Sequence, residues 1–316
     1  MDHIFIVNPH AGNGSNAQTL IPAIQAAAGS CGIIPTIKQT TAAGHAIQLA
    51  THYASQGTPV RLYAVGGDGT LNELFNGAWR FPNAEVAAIP CGSGNDFVRS
   101  FGTPAHFLDI PAAITGHAVP IDLMETDSGI GVSITSVGLD ADVAYSIPKY
   151  RHIPLLGGSM AYNIAIVERL LKPLGKHVRI TLDGQQHDGA YLIAAVCNGR
   201  YYGGGFFAAP IAQLTDGLLD IVLVSKINRL LIANIIGKYK KGIHLQNGQL
   251  TGHFQRVMRY TRAKSVEIQP LDKPDIVLNI DGECAPAPRL FAQVLPLAGR
   301  FVLPRGLAPT GVLSLA

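Results

Sequence analysis

Arg61-Leu62-Tyr63-Ala64-Val65-Gly66-Gly67-Asp68-Gly69-Thr70 decides the fold, because an apolar run ends in a glycine-rich loop that leads straight into a helical pattern. Glycines there let backbone N–H groups approach an anion with no Cβ in the way. The helix that follows adds its own N-terminal N–H groups and the positive end of its dipole. Thr70 could cap that helix or offer its hydroxyl to a phosphate. Asp68 would be repelled by bare phosphate, so its place in the loop makes sense chiefly if Mg²⁺ intervenes. The competing reading is an ordinary strand-to-helix turn in which Asp68 bonds local backbone. Neither a Walker A loop nor a GxGxxG fingerprint is present, so the two commonest nucleotide motifs do not apply.

Strand and helix patterns alternate through the first third of the chain on both sides of this loop. Ile4 to Asn8, Ile33 to Lys38, Val60 to Val65 and Val86 to Ile89 read as strands. Asn16 to Ala28, Gly44 to Ser55, Leu71 to Trp79 and a segment from about Asp96 read as helices. This alternation predicts an α/β domain with a doubly wound, mostly parallel sheet. Ligands on such sheets collect at the carboxyl ends of the strands, where the notable loops fall.

After about Asp122 the pattern turns to strands. These are Val119 to Glu125, Gly131 to Val137, His177 to Leu182, Tyr191 to Cys197, Leu218 to Val224, Ser265 to Gln269 and Ile276 to Ile280. Gly and Asp-Gly turns between many of them favour antiparallel pairing. Ser159 to Leu171 and Asn228 to Lys241 interrupt them as helices. The expected organisation is a nucleotide-binding α/β domain over 1–123 and a mainly antiparallel β domain over 124–289, with a nucleotide cleft between them. Residues 290–316 are open to packing back on the first domain.

Composition narrows the function classes. Hydrophobic residues are 47% and charged residues 14%, which supports full cores and argues against disorder. A net charge of +3 gives a nucleic-acid partner little support, and none is expected. Cys31, Cys91, Cys197 and Cys284 are scattered singly and read as buried thiols in a reducing compartment. The eleven histidines form no HExxH-type pair, so no histidine-bound metal is expected. The start lacks the pattern of a signal peptide, and no apolar run approaches the roughly 20 residues that span a bilayer. A cytoplasmic protein is expected, touching the inner face of the membrane peripherally. A homodimer is left open.

Two further loops repeat the glycine theme at the ends of neighbouring strands. Asn8-Pro9-His10-Ala11-Gly12-Asn13-Gly14 follows the first strand, and Pro90-Cys91-Gly92-Ser93-Gly94-Asn95-Asp96 follows the fourth. Three small-residue loops at one sheet edge are best explained together, as a nucleotide site. In order along the chain stand Asn8-Pro9-His10-Ala11-Gly12, Gly66-Gly67-Asp68-Gly69-Thr70-Leu71-Asn72-Glu73 and Gly92-Ser93-Gly94-Asn95-Asp96. Asn198-Gly199 with Gly203-Gly204-Gly205, Asp216-Gly217-Leu218-Leu219-Asp220 and Asp281-Gly282-Glu283 complete the series. This ordered set resembles the diacylglycerol kinase catalytic-domain family, soluble lipid kinases that include sphingosine and ceramide kinases.

The resemblance implies an ATP-dependent transfer to the hydroxyl of a lipid alcohol, most readily diacylglycerol, which would give phosphatidic acid. It places the nucleotide phosphates on Asn8, Pro9, His10, Ala11 and Gly12, and on Gly66, Gly67, Asp68, Gly69, Thr70, Leu71, Asn72 and Glu73. Thr40 and Ser93 would add hydroxyls, with Asn95 beside them. In the family a basic residue commonly follows the glycine of the first loop, whereas Asn13 stands here, and Ser93 stands in place of threonine. Asp68, Asp96 and Asp122 are candidates for the catalytic Mg²⁺. Asp216 would belong to a separate structural Mg²⁺ site, completed by carbonyl oxygens around Gln213 and Leu218. The late Asp-Gly-Glu assigns Asp281 as general base with Glu283 in support, although its local sequence also suits a hairpin turn.

Tyr201, Tyr202, Phe206 and Phe207 could line an acyl channel or serve as core. Lys238, Lys240, Lys241, Arg256, Arg259, Arg262 and Lys264 form a basic region suited to solvent or to anionic headgroups. The rivals are an NAD-kinase-like or phosphofructokinase-like enzyme acting on a soluble hydroxyl, and a non-catalytic lipid- or nucleotide-binding regulator.

Overall fold

Strands Val60–Gly66 and Ala84–Pro90 are buried at all seven of their positions, as strands covered on both faces of a parallel sheet should be. They belong to a computed structural model that describes residues 1–12, 16–151 and 158–307. The first part runs β1 (Asp2–Val7), α1 (Asn16–Ser30), β2 (Thr36–Gln39), α2 (His45–Ala54), β3 (Val60–Gly66), α3 (Asp68–Ala78) and β4 (Ala84–Pro90). The sheet order is β2-β1-β3-β4 and every pair is parallel. Register is carried by the apolar runs, with Ile4 beside Leu62 and Val65 beside Ile89.

The helix after the glycine loop begins earlier than expected. The sequence pattern suggested Leu71, but α3 starts at Asp68 with Gly67 as its N-cap, so Asp68, Gly69 and Thr70 form its first turn. Glycine's low helix propensity hides this start in the sequence, and the local turn is set by contacts with other loops.

The chain divides into two units. The first comprises Met1–Leu123, Gln213–Gly217 and the chain from Leu295. Its core includes Phe301, which lies against β4 beside Val86 with ring centroids 5.0 Å from both Phe97 and Phe101. Arg61 and Glu85, neighbours across β3 and β4, form a buried ion pair at 2.8 Å. Arg300 joins Glu85 at 2.7 Å, and Arg61 also donates to the carbonyls of Ala113 and Ile114. Every partner of this buried charge is a full hydrogen-bonding group, which offsets its desolvation.

The second unit comprises Met124–Ala212 and Leu218–Val294. After β5 (His117–Thr126) its main elements are β6 (Ile134–Gly138), α4 (Leu139–Ser146), α5 (Gly158–Leu171), β7 (Lys176–Leu182) and β8 (Gln185–Cys197). β9 (Leu219–Ser225), α6 (Arg229–Lys240), β10 (Met258–Ala263), β11 (Ser265–Pro270), β12 (Ile276–Ile280), β13 (Glu283–Ala287) and β14 (Leu290–Leu303) follow. Within the unit, β13-β12-β6-β8-β7-β11-β14 pair antiparallel, and β9 joins β8 to β10.

Side chains of this sheet alternate between two cores, following the period of two that a strand imposes. Ile193, Ala195 and Cys197 enter one core with Leu139, Val143, Ala165, Ile232 and Tyr239 from the helices. Ala194 and Val196 enter the other with Ile180, Ile221, Val266 and Leu278. The mixed α/β first part and antiparallel second part match the fold class read from the sequence. The four cysteines are free thiols; Cys197 is buried and the other three are half-buried. No described helix is long and apolar enough to cross a membrane.

Candidate active site

In the first unit, three loops meet at the carboxyl ends of β1, β3 and β4. Asn8 links the first loop to the second: its Nδ2 donates to the Thr70 hydroxyl at 3.2 Å, while its Oδ1 accepts the His10 N–H at 3.0 Å. The Thr70 hydroxyl thereby keeps its own proton to donate. Thr40 is fixed at the next strand end by its N–H on the Val7 carbonyl at 2.9 Å.

The second and third loops touch backbone to backbone. A Cβ on Gly92 would stand 2.5 Å from the Gly67 Cα, and one on Gly67 would stand 3.2 Å from the Gly92 Cα. Glycine is required at this pair by close approach, not by its φ freedom. Asp68 crosses the same junction, accepting the Asp96 N–H on Oδ2 at 3.0 Å and the Phe97 N–H on Oδ1 at 3.1 Å. Asn95 (φ 52°) closes the third loop by accepting the Gly92 N–H at 3.1 Å and donating to the Gly92 carbonyl at 2.8 Å. Ser93 is left exposed at the rim.

No side chain caps the start of α3, which leaves its leading N–H groups without that acceptor, as an anion site would require. The capping role open to Thr70 is therefore not the one it takes. Leu71 is buried and serves the core. Glu73 accepts the Gly44 and Ala46 N–H groups, both at 3.0 Å, and so clamps the start of α2. Asn72 accepts a hydrogen bond from Asn76 one turn on. Asn13 and Gly14 lie outside the described residues. A cavity of about 230 Å³ lined by Trp79, Arg80 and Arg300 lies past the far end of α3 and takes no part in these loops.

The acidic residues divide by environment. Asp68 and Asp96 turn their Oδ2 atoms toward Gly94, where a Cβ would lie 2.9 and 3.4 Å from them. Two carboxylates around a space that lacks a side chain suit a Mg²⁺ completed by phosphate oxygens and water, though not an all-protein cage. Among the described residues no cluster of three or more acidic, histidine or cysteine ligands occurs.

Asp122 braces the fold. It is fully buried, and its oxygens accept the Gly217 and Leu297 N–H groups, both at 2.7 Å. Burial raises its pKa, those two hydrogen bonds oppose the rise, and nearby Asp216 adds to it. The Gln213 Oε1 is buried with no hydrogen-bond donor. Asp216 and Gln213 thus offer oxygen acceptors in one segment beside Asp122, the donor type that a hard cation takes.

In the second unit, Asp281 and Gly282 (φ 49° and 99°) form the two-residue turn between β12 and β13. The turn falls on the Asp-Gly-Glu motif singled out in the sequence. The Asp281 carboxylate accepts the N–H groups of Val132, Ser133 and Ile134 at 2.5, 2.9 and 2.9 Å. Asn279 Oδ1 accepts the Gly282 N–H at 2.8 Å, which holds the turn. Glu283 is exposed, and its side chain makes no hydrogen bond or ion pair among the described residues.

One acidic residue escaped the sequence reading. Asp140, in the first turn of α4, has both oxygens enclosed near Ser136 and Tyr202, with no hydrogen bond of good geometry to either. Burial lifts its pKa to about 6, and the nearby Ser136 hydroxyl only partly opposes this. Its signal was a carboxylate inside the apolar run Val137-Gly138-Leu139-Asp140-Ala141.

Comparison with known proteins agrees with this layout. Residues 2–126 match the diacylglycerol kinase catalytic domain, and residues 133–302 match the YegS C-terminal NAD kinase beta sandwich-like domain. A "Probable lipid kinase YegS-like" of Shewanella frigidimarina is 30% identical over 249 residues, covering 77% of this chain and 76% of that protein. A diacylglycerol kinase of Bacillus subtilis is 29% identical over 248 residues, covering 77% of each. A crystal structure of a diacylglycerol kinase from Bacillus anthracis shares the fold, with a TM-score of 0.67, 23% identity, and coverage of 97% of this chain and 98% of that one. This chain belongs to the diacylglycerol kinase family, as a YegS-like lipid kinase.

Proposed function

We propose that this kinase uses ATP and Mg²⁺ to phosphorylate the hydroxyl of a lipid alcohol, with diacylglycerol as its substrate and phosphatidic acid as its product. The observation that carries the reading is the junction of Asp68 with the Asp96 and Phe97 N–H groups, beside the uncapped start of α3. It sets backbone donors and two carboxylates side by side, the combination a metal-bound polyphosphate needs.

The α3 N–H groups, the Thr70 hydroxyl and the first loop orient the phosphates. Asp68 and Asp96 would hold Mg²⁺, which would neutralise charge on the transferred group. The lipid hydroxyl forms a bond to the γ-phosphorus as the bond to the β-phosphate oxygen breaks, and ADP leaves. Asp281 receives the hydroxyl proton, with Glu283 orienting the acceptor. In a loose transition state a carboxylate that accepts a proton late is adequate. Asp216, with carbonyl oxygens around Gln213 and Leu218, would hold a second, structural Mg²⁺. The enzyme works in the cytoplasm, at the inner face of the membrane.

The test is radiolabelled ATP with a panel of lipid alcohols, NAD and sugar phosphates, with Asp281→Asn as control. Label in a lipid product that depends on Asp281 and Mg²⁺ supports the reading. Label in NAD or a sugar alone replaces it with the soluble-substrate reading, which the NAD-kinase-like name of the C-terminal match keeps in view. Binding of nucleotide or lipid with no transfer to any acceptor replaces it with a regulator.

A further inference from the structure

The second unit carries an apolar patch at one edge of its helical face. Val167 and Leu171, one turn apart on α5, are 58% and 76% exposed, and Leu230, the second residue of α6, is 85% exposed. Arg229 holds these two helices together. Its Nε donates to the Leu170 carbonyl at 2.5 Å and its Nη2 to the Lys172 carbonyl at 3.1 Å. Those carbonyls flank Leu171, so Leu230 is brought to the same edge. The guanidinium also sits where the negative end of α5 favours a cation.

The rest of α6 continues the surface. Ile232, Ile235 and Tyr239 face inward, while Leu230, Ala233, Asn234, Gly237 and Lys241 share the outward line at helical spacing. Residues 226–241 hold five cations (Lys226, Arg229, Lys238, Lys240 and Lys241) and no acid. The acids that face α5 are already paired: Glu168 bonds Lys172 and Tyr150, and Asp142 bonds Arg169 and Lys176.

We infer that this edge docks on an anionic lipid bilayer, with Leu171, Leu230 and Val167 entering the acyl boundary and the α6 lysines meeting the headgroups. Large apolar anchors at one end of a helix whose other end carries lysines, in a stretch without an acid, suit a membrane surface. A protein partner fits less well, because the cores of protein interfaces are depleted in lysine. The inference gives the kinase reading a place to meet its substrate and rests on that reading for its purpose, although binding alone tests it.

The experiment is cosedimentation of the full chain with phosphatidylcholine vesicles, with and without phosphatidylglycerol. The wild type should bind the anionic vesicles, and less strongly as salt rises. Leu171→Gln with Leu230→Gln should lower partitioning about tenfold or more. The same variant should keep the wild-type melting temperature and its turnover on a dispersed short-chain diacylglycerol. Lys238→Glu with Lys241→Glu should abolish the preference for anionic vesicles. Equal binding by the double glutamine variant overturns the inference, as does a wild type that binds neither vesicle. A wild-type dimer that the glutamine variant turns into monomers, with vesicle binding unaltered, reassigns the patch to self-association and also overturns it. Leucine-dependent vesicle binding without phosphorylation of any lipid supports the docking and counts against the kinase reading alone.

Discussion

Asp68 holds Asp96 in place through the backbone: the Asp68 Oδ2 accepts the Asp96 N–H at 3.0 Å, and its other oxygen takes the next N–H along. An amide in its place can accept only one of these bonds and turns an NH₂ toward the other donor. Asp68→Asn should therefore cost about 1–3 kcal/mol of stability. It should also raise the Mg²⁺ concentration needed for half-maximal turnover. Thermal melting and a Mg²⁺ titration of the rate check both. An unchanged Mg²⁺ dependence would leave Asp68 a purely structural residue.

Gly92→Ala should separate the second and third loops. The new methyl would lie 2.5 Å from the Gly67 Cα, and neither partner is a flexible side chain that could yield. A loss of about 1–3 kcal/mol is expected, as for overpacking elsewhere. Weaker nucleotide binding by calorimetry should accompany it. Gly204→Ala is an informative contrast, because φ +77° strains the new residue while nothing lies within 4 Å of the added carbon.

Asp281 and Glu283 should separate by what their loss does to folding. Asp281→Ala leaves three backbone N–H groups without their acceptor and should cost roughly 2–4 kcal/mol, besides lowering kcat far more than it raises KM for ATP. Glu283→Gln should leave the melting temperature unchanged and reduce kcat modestly. If Glu283→Gln is the more severe lesion in kcat while Asp281→Asn remains active, the base is Glu283.

Two buried groups should give stability opposite pH trends. His244 is fully buried, donates from Nε2 to the Ala208 carbonyl, and has its pKa lowered to about 4 by burial. Because the unfolded chain takes up this proton first, its contribution is complete above pH 6.5 and is lost as pH falls toward about 4, by up to roughly 3 kcal/mol.

Asp140 acts in the other sense. Its folded pKa of about 6 stands above the ordinary 3.8, so its contribution is complete below 3.8 and is lost as pH rises through about 6. Asp140→Asn should stabilise the protein at pH 8 by up to about 3 kcal/mol and have little effect near pH 4. Melting curves of the wild type and this variant across pH 4 to 8 measure the difference directly.

Local signals in the sequence reached the strands well, because β3 and β4 are apolar at nearly every position and each ends in glycine or proline. They also reached the loops, whose glycines have a steric reason that composition alone suggests. They did not reach the role of Glu73, since its partners Gly44 and Ala46 are supplied by another helix. Nor did they show that Gln213–Gly217 belongs with the first unit, where Asp122, far away along the chain, donates its N–H to the Leu214 carbonyl and accepts the Gly217 N–H. α4 escaped because Leu139-Asp140-Ala141-Asp142-Val143 has no amphipathic period, being enclosed on several sides. Asp281-Gly282 read locally as a turn and, through the family resemblance, as chemistry; it is a turn whose first side chain also gathers three N–H groups.

The bracing of Asp122 also imposes an order on biosynthesis. Its acceptor oxygens take N–H groups from residues 95 and 175 positions further along, Gly217 and Leu297. A ribosome that has released the whole of β1 to β4 has yet to make either partner. The glycine loops of a nascent chain therefore stand on an unbraced scaffold until Leu297 has emerged, after the strands of the second unit have been made.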